Sequence, residues 1–368
     1  MKKKARVIAW YLPQYHPIPE NDENWGKGFT EWTNVAKAKP LFKGHYQPRI
    51  PADLGFYDLR LPIVREQQAE MAREAGVEGF MYWHYWFGNG RMLLEKPLEE
   101  VVACGKPDFP FCYGWANHSW STKTWVNEGA FSKPKMIAEM QYPGEKDNRE
   151  HFEYCLPAFK DKRYIKVDGK LLFIIFSPFD FIGLKEFMEQ WNRWAAENDL
   201  PGFYFMGISK GKTSSYQSVL DTGVDGVINN WRYDAEMKTV GNYLKKRITD
   251  TISGHFHAAL LKYDYETLMS HFKSDDNYKD NCFPVITPGY DRTPRAGKNG
   301  IIYHNATPEK FKKHVHETLE YIKDKDDEHK IVFLDSWNEW GEGNYMEPDL
   351  KYGHGFLDAL KSEIFTDE

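Results

Sequence analysis

Two carboxylates three residues apart, Glu339 and Glu342, close the segment Ile331-Val332-Phe333-Leu334-Asp335-Ser336-Trp337-Asn338-Glu339-Trp340-Gly341-Glu342-Gly343. The apolar lead-in predicts a strand over Ile331–Trp337, and Gly341 and Gly343 predict a turn after it. In an extended chain Asp335, Trp337 and Glu339 point to one face by the period of two. Two acids that converge across such a turn suit glycosidic bond cleavage. One protonates the leaving oxygen while the other supports charge at the anomeric centre. Solvated glutamates at a loop tip look the same in sequence, so the pair alone does not choose.

The elements that would position this pair recur along the chain. Strand-like runs lie at Arg6–Leu12, Gly79–Tyr85, Phe109–Trp115, Leu171–Phe176, Phe203–Ile208, Gly226–Asn230, Phe283–Thr287 and Ile331–Trp337. They are short, continuous and rich in β-branched or aromatic residues, as strands covered on both faces should be. Helical spacing lies between them at Pro62–Ala75, Leu184–Asn198, Pro308–Lys323 and Gly355–Ile364, with a weaker stretch at Asp147–Phe159 that Pro157 limits. Eight strands alternating with helices predict an α/β fold, a closed (β/α)8 barrel over residues 1–368 as a single domain. An open doubly wound sheet would carry a Gly-rich phosphate loop after its first strand; Pro13-Gln14-Tyr15-His16-Pro17 stands there instead. Long βα segments, from the first strand to Pro62 and from Trp231 to Asn281, are expected over the C-terminal mouth, where a barrel keeps its active site.

Composition fits a sugar site. The chain's 13 Trp, 22 Tyr and 24 Phe make up 16% of its 368 residues, yet mean hydropathy is −0.67. Trp and Tyr join an apolar face to a polar edge, the combination that suits a sugar's C–H faces and hydroxyl rim. Aromatic and hydrogen-bonding residues also collect at the other strand ends, in Tyr82-Trp83-His84-Tyr85-Trp86, Tyr113-Gly114-Trp115-Ala116-Asn117-His118, Asn229-Asn230-Trp231 and Gly289-Tyr290-Asp291. Any one of these could be core, but several at one end of a barrel describe a ligand cleft. The expected substrate contacts are His84, Trp86, Trp115, Asn117, His118, Trp231, Tyr290, Trp337 and Asn338, with Tyr11, Gln14 and His16 at the end of the first strand.

Other classes fare worse. A net charge of −6, with its one basic run at Lys2–Lys4, offers no concentrated surface for nucleic acid. No window reaches the ~20 apolar residues of a membrane span. The apolar stretch Ala5–Leu12 is too short for a signal-peptide core, so a cytoplasmic location is expected. Cys104, Cys112, Cys155 and Cys282 have no paired spacing and are expected to be reduced, buried thiols. His255-x-His257 and His314-x-His316 do not match a zinc motif, and neither a GxSxG elbow nor a Walker loop occurs. Asp324-Lys325-Asp326 formally fits the Asp-x-Asp of metal-dependent sugar-nucleotide transferases, but it lies before the last strand in a charge run. No metal, cofactor or obligate protein partner is expected.

Three long motifs carry a resemblance. They are Trp10-Tyr11-Leu12-Pro13-Gln14-Tyr15-His16-Pro17-Ile18-Pro19-Glu20-Asn21, then Trp25-Gly26-Lys27-Gly28-Phe29-Thr30-Glu31-Trp32-Thr33-Asn34-Val35, then Gln47-Pro48-Arg49-Ile50-Pro51-Ala52-Asp53-Leu54-Gly55-Phe56-Tyr57-Asp58. With Trp337–Glu342 they resemble WbsX-type proteins, often encoded with polysaccharide genes and named glycosyltransferases. That family is in turn similar to glycoside hydrolase family 99, retaining endo-acting α-mannosidases on a (β/α)8 barrel. The resemblance implies that Glu339 assists the sugar 2-hydroxyl and that Glu342 is the general acid/base. It implies a 1,2-anhydro sugar in place of the glycosyl-enzyme of the usual retaining scheme. Attack by the 2-oxygen from the face opposite the leaving group suits α-manno and α-rhamno configurations. The N-terminal motifs are those of the WbsX type, so the sugar subsites do not carry over.

Three functions follow for an oligo- or polysaccharide substrate. The leading one is a retaining glycoside hydrolase. The alternatives are a glycosyltransferase of O-antigen or capsule synthesis, against which stands the lack of a nucleotide loop, and a carbohydrate-binding barrel without catalysis, against which stands the presence of both glutamates.

Overall fold

The computed structural model describes residues 2–122, 135–211, 214–241, 245, 248 and 261–366. Eight parallel strands form a ring: β1 (Arg6–Tyr11), β2 (Val77–Trp86), β3 (Phe111–Trp115), β4 (Lys170–Ile175), β5 (Phe203–Ser209), β6 (Gly226–Asn229), β7 (Cys282–Ile286) and β8 (Ile331–Leu334). Their order around the ring is β1-β8-β7-β6-β5-β4-β3-β2, and β2 pairs back onto β1 to close it. This is a (β/α)8 barrel, the expected fold class, and each of the eight sequence runs overlaps one of its eight strands. Short antiparallel strands at Met92–Leu93 and Lys166–Val167 are appended to β2 and β4.

The strands are buried along nearly their whole length because side chains fill the barrel on one face and meet helices on the other. The helices Pro62–Glu74, Leu184–Glu197, Pro308–Ile322 and Gly355–Ile364 lie where apolar periodicity places them. The helix Glu145–Phe159 runs through Pro157, which sits in the last turn and forgoes only one backbone hydrogen bond.

One departure from the expected elements matters for the site. β8 stops at Leu334 rather than Trp337. Asp335 N still donates to Ile286 O of β7 at 3.0 Å, but Trp337 N donates to Trp10 O of β1 at 2.8 Å. The chain thus leaves β8 and crosses toward β1, so Asp335, Trp337 and Glu339 do not share a strand face. Trp337 is fully buried, its ring 5.3 Å from that of Phe80.

The long segment after β1 forms two short helices, Pro19–Trp25 and Glu31–Lys37, and is strapped to the segment after β8. Tyr15 Oη donates to Asn338 O at 2.6 Å and accepts from Trp340 N at 3.0 Å. Asn338 pairs with both backbone groups of Leu12, accepting from its N at 2.8 Å and donating to its O at 3.1 Å. The segment after β6 contributes the helix Arg232–Val240 and the strand Leu261–Asp264, which pairs in parallel with Ile301–His304; His255 and His257 lie outside the described residues. The four cysteines are unpaired, and Cys104 is exposed rather than buried. Among the described residues no helix is long and apolar enough to cross a membrane.

Candidate active site

A cavity of about 490 Å³ opens at the C-terminal ends of the strands. Its walls are aromatic: Trp10 of β1, Trp83 and Tyr85 of β2, Trp120 after β3, Phe176 after β4 and Tyr233 after β6. Trp83 anchors this wall, meeting Trp10 edge-on at 5.4 Å and Phe176 at 5.5 Å. The polar side holds Asp335, Glu339 and Glu342 from the segment after β8, with Arg232, Arg292 and Arg295 facing them.

The two glutamates are brought together by a tight local fold. Asn338–Glu339 pairs antiparallel with Asn344–Tyr345, and Trp340–Glu342 makes a single turn between them. Gly343 closes that turn at φ 56°, where a Cβ would fall 2.8 Å from Asp291 Cβ. Gly341 has a different reason. A Cβ there would fall 1.6 Å from Glu31 Oε2, because the Glu31–Arg295 ion pair packs directly against this glycine.

Arg295 links the acids. Its Nη2 donates to Glu339 Oε1 at 2.6 Å and lies 2.9 Å from Glu31 Oε2, while its Nη1 lies 2.8 Å from Glu342 Oε1. Glu31 is completely buried beneath it. Arg292 adds a second, looser contact to Glu342 at 3.4 Å. Arg232 pairs with Asp335 at 2.6 Å, its guanidinium 4.0 Å from the centre of the Tyr290 ring. Asp335 also accepts from Ser336 Oγ and Asn344 Nδ2.

This arrangement drives the two glutamates apart in acidity. Burial, helped by the charges of Glu342, Glu31 and Asp335 and opposed by Arg295, pushes Glu339 up to about 8. Burial acts on Glu342 too, but Arg295, Arg292 and Arg232 together outweigh it and hold that carboxyl below the usual range. The opposite directions of the two shifts favour keeping the pair's proton on Glu339 rather than on Glu342. Two carboxyls whose environments separate them in this way are equipped for acid and base roles.

Of the residues expected from sequence, Glu339, Glu342, Gln14 and His118 line the cavity. The others stand elsewhere. Adjacent residues of a strand point to opposite faces, and in β1 and β2 it is Trp10, Trp83 and Tyr85 that face the cavity. Tyr11, one step on, points outward to Gln68, its Oη donating at 2.7 Å. His84 and Trp86 face the helix Glu145–Phe159, where Trp86 Nε1 donates to Asp147 and its ring stacks on His151. Trp115 donates from Nε1 to Trp86 O and stacks on Phe187. Asn117 fastens the loops after β3 and β4 through Ser177, and His16 is buried near Asp58 and Arg60, neutral, with a pKa lowered by burial to about 4. Trp231 lies beside Lys238, Tyr290 beneath Arg232, and Trp337 and Asn338 hold the scaffold under the glutamates. The arginines and Lys210 are not singled out by the sequence, and Asp335, Trp83 and Tyr85 appear there at strand ends without being named as substrate contacts. Arg292-x-x-Arg295, just past Asp291 at the seventh strand end, is the signal that could have found two of them.

Among the described residues one group has the residue types for a metal, His84, His151 and Cys155. Its geometry argues otherwise. The two Nε2 atoms are 2.8 Å apart and the ring centroids 5.0 Å, so the imidazoles meet head-on across a hydrogen bond. Lone pairs aimed at each other do not converge on an ion. Burial holds the pKa of both rings well down, His84 at about 3, consistent with a neutral hydrogen-bonded pair.

A family model described as Glycosyltransferase WbsX matches residues 7–360. Two curated relatives, each described as uncharacterized protein WxcX, come from Xanthomonas campestris pv. campestris. The one from strain B100 is 31% identical over 363 residues, 98% of this chain, and the one from strain ATCC 33913 is 31% identical over 361 residues. The chain spans about half the length of these relatives, 50% in each case. Among solved structures, a glycoside hydrolase-like protein superposes with a TM-score of 0.58 at 14% identity, covering 100% of this chain and 95% of that one. The GH99 endo-α-mannosidase from Bacteroides thetaiotaomicron, in complex with bis-tris-propane, superposes with a TM-score of 0.55 at 13% identity, covering 98% and 96%. These superpositions speak to the barrel.

Proposed function

As this chain belongs to the Glycosyltransferase WbsX family, we propose that its cleft acts on a glycan, and that it does so as a retaining glycoside hydrolase on an α-linked, manno- or rhamno-configured substrate. The observation that carries this reading is the Glu339–Glu342 pair, held by one arginine in an aromatic cleft. Arginines around a lowered carboxyl would also suit a sugar-phosphate donor. No phosphate loop accompanies them in the sequence.

The chemistry follows from the glutamate pair. In the first half-reaction Glu339, ionised, takes the proton of the 2-hydroxyl. The 2-oxygen attacks the anomeric carbon, and the departing oxygen takes a proton from Glu342. The step ends with Glu339 protonated and Glu342 ionised. In the second half-reaction Glu342 takes a proton from water as water attacks the anomeric carbon, and Glu339 returns its proton to the 2-oxygen. Two inversions give retention. The directions of the two pKa shifts favour the proton on Glu339, so the first half begins with one proton moved from Glu339 to Glu342. The close contacts of Arg295 with both carboxylates supply the means, since shifting its guanidinium between them changes both acidities at once.

The test is incubation with α-manno- and α-rhamno-configured oligosaccharides, with and without nucleotide sugars, read by mass spectrometry against Glu342→Gln. Hydrolysis products without nucleotide sugar, lost in the variant, are expected. Chain extension that requires a nucleotide sugar would replace this reading with a transferase. Glycan binding with neither outcome would leave a carbohydrate-binding barrel.

A further inference from the structure

Lys210 follows β5, three strands around the ring from β8, and so faces the mouth of the cleft from the side away from the glutamates. Its side chain is open to solvent, with Nζ 2.7 Å from Ser177 Oγ and 3.7 Å from the centre of the Phe176 ring. Among the described residues no carboxylate forms an ion pair with it; partial burial of the ammonium lowers its pKa to about 8, against the longer-range attraction of Asp180, so it is still charged at neutral pH. The other cations of the cleft are all engaged: Arg232 with Asp335, Arg292 with Glu342, and Arg295 with Glu31, Glu339 and Glu342.

Charge bookkeeping across the cavity makes Lys210 stand out. Four cationic side chains line it against three carboxyl groups, and Glu31 beneath Arg295 brings the carboxyls to four. Each of these four carboxyl groups has an arginine partner, so the ammonium of Lys210 is the cation left without a carboxyl partner among the described residues. Lysine at an apolar-walled cleft, seated on a phenyl face and lacking a carboxylate, is an anion receptor by its chemistry.

We infer that the glycan taken by this cleft is acidic, and that Lys210 receives an anionic substituent, a sugar carboxylate or phosphate ester, in the subsite beside the one served by Glu339 and Glu342. Two observations support it: the ammonium at the mouth that makes no ion pair among the described residues, and the arginine partners that already occupy every carboxyl group of the cavity. Phe176 and Trp83, in edge contact at 5.5 Å, supply the apolar surface on which the ring bearing that substituent would rest. The inference rests on reading the cleft as a glycan site and narrows its substrate class.

Matched probes test it by the fluorescence of the cavity tryptophans. Methyl α-glucuronide is titrated against methyl α-glucoside, and mannose 6-phosphate against mannose, in the wild type, Glu342→Gln, Lys210→Gln and Lys210→Arg. A charge-assisted hydrogen bond at a partly open site corresponds to about a tenfold preference. At least one anionic sugar is expected to bind about tenfold tighter than its neutral partner in the wild type, in Glu342→Gln and in Lys210→Arg. That ratio should fall to near one in Lys210→Gln, and shrink with added salt. Whichever pair shows the preference tells carboxylate from phosphate ester. Equal affinities within both pairs, no saturation by either anionic sugar, or a preference surviving Lys210→Gln would overturn the inference. So would binding of a nucleoside diphosphate where both sugar anions fail. Hydrolysis of neutral α-glycans without anion preference would remove this inference and leave the proposed function. Anion preference without hydrolysis would do the reverse.

Discussion

Arg295 Nη2 lies 2.6 Å from Glu339 Oε1, joining a residue that follows β7 to one that follows β8. The same guanidinium holds Glu342 at 2.8 Å and is seated on buried Glu31. One arginine thus sets both the position and the acidity of the two proposed catalytic groups.

Replacing Arg295 by methionine keeps the length and removes the charge. Glu342 then loses the largest of the cations that hold its pKa down. Its carboxyl rises, and the acidic limb of kcat/KM moves to higher pH. A loss of kcat of about 10²-fold or more is expected, the scale of a displaced general acid–base group. An arginine that only stiffens the loop would lower folding stability while leaving the pH profile in place, and that result would reject the role.

The wild-type pH profile has a definite sign. The competent pair holds one proton, and its upper ionisation belongs with Glu339 at about 8. Activity should fall as pH rises through that value, because the pair becomes doubly ionised and has no proton to donate. It should fall again in acid as Glu342 takes up the pair's second proton, below the ordinary carboxylate range. A kcat/KM still rising above about pH 8 would contradict the assignment.

A 2-deoxy-2-fluoro α-mannoside with an activated leaving group separates the two retaining routes. Without a 2-hydroxyl the internal nucleophile is missing, so turnover should cease and the protein mass should stay unchanged. A fluoroglycosyl adduct on the Glu339 peptide would show a conventional nucleophile.

Asn338 is a scaffold residue in this account. Asn338→Ala leaves the N and O of Leu12 without their side-chain partner in the interior. A loss of about 2–4 kcal/mol in denaturant unfolding is expected from two such groups. A change within about 0.5 kcal/mol, the range of ordinary surface substitutions, would mean that the strap between the first and last βα segments does not need it.

The barrel was legible because its strands are continuous apolar runs, each covered on both faces, separated by amphipathic helices. The glutamates were legible because Gly341 and Gly343 announce a turn at the end of the last run. Parity was not legible. In Tyr82-Trp83-His84-Tyr85-Trp86 every residue is aromatic, so no polar alternation tells which face is inward, and His84 and Trp86 face a helix while Trp83 and Tyr85 face the cavity. The end of β8 was hidden for a related reason: Asp335-Ser336-Trp337 continues the apolar run by type while its backbone turns to Trp10. Arg295 and Glu31 meet across 264 residues of chain, and no local pattern in either segment announces the pair.

The central claim, that Glu339 and Glu342 together cleave an α-glycoside with retention, is tested most directly by proton NMR of the anomer first released from an α-manno-configured substrate. The account predicts that the α-anomer appears first, without nucleotide sugar, and equilibrates only later with the β-anomer. It also predicts that neither appears on the same timescale with Glu342→Gln. First release of the β-anomer, or release unaffected by that substitution, would contradict it.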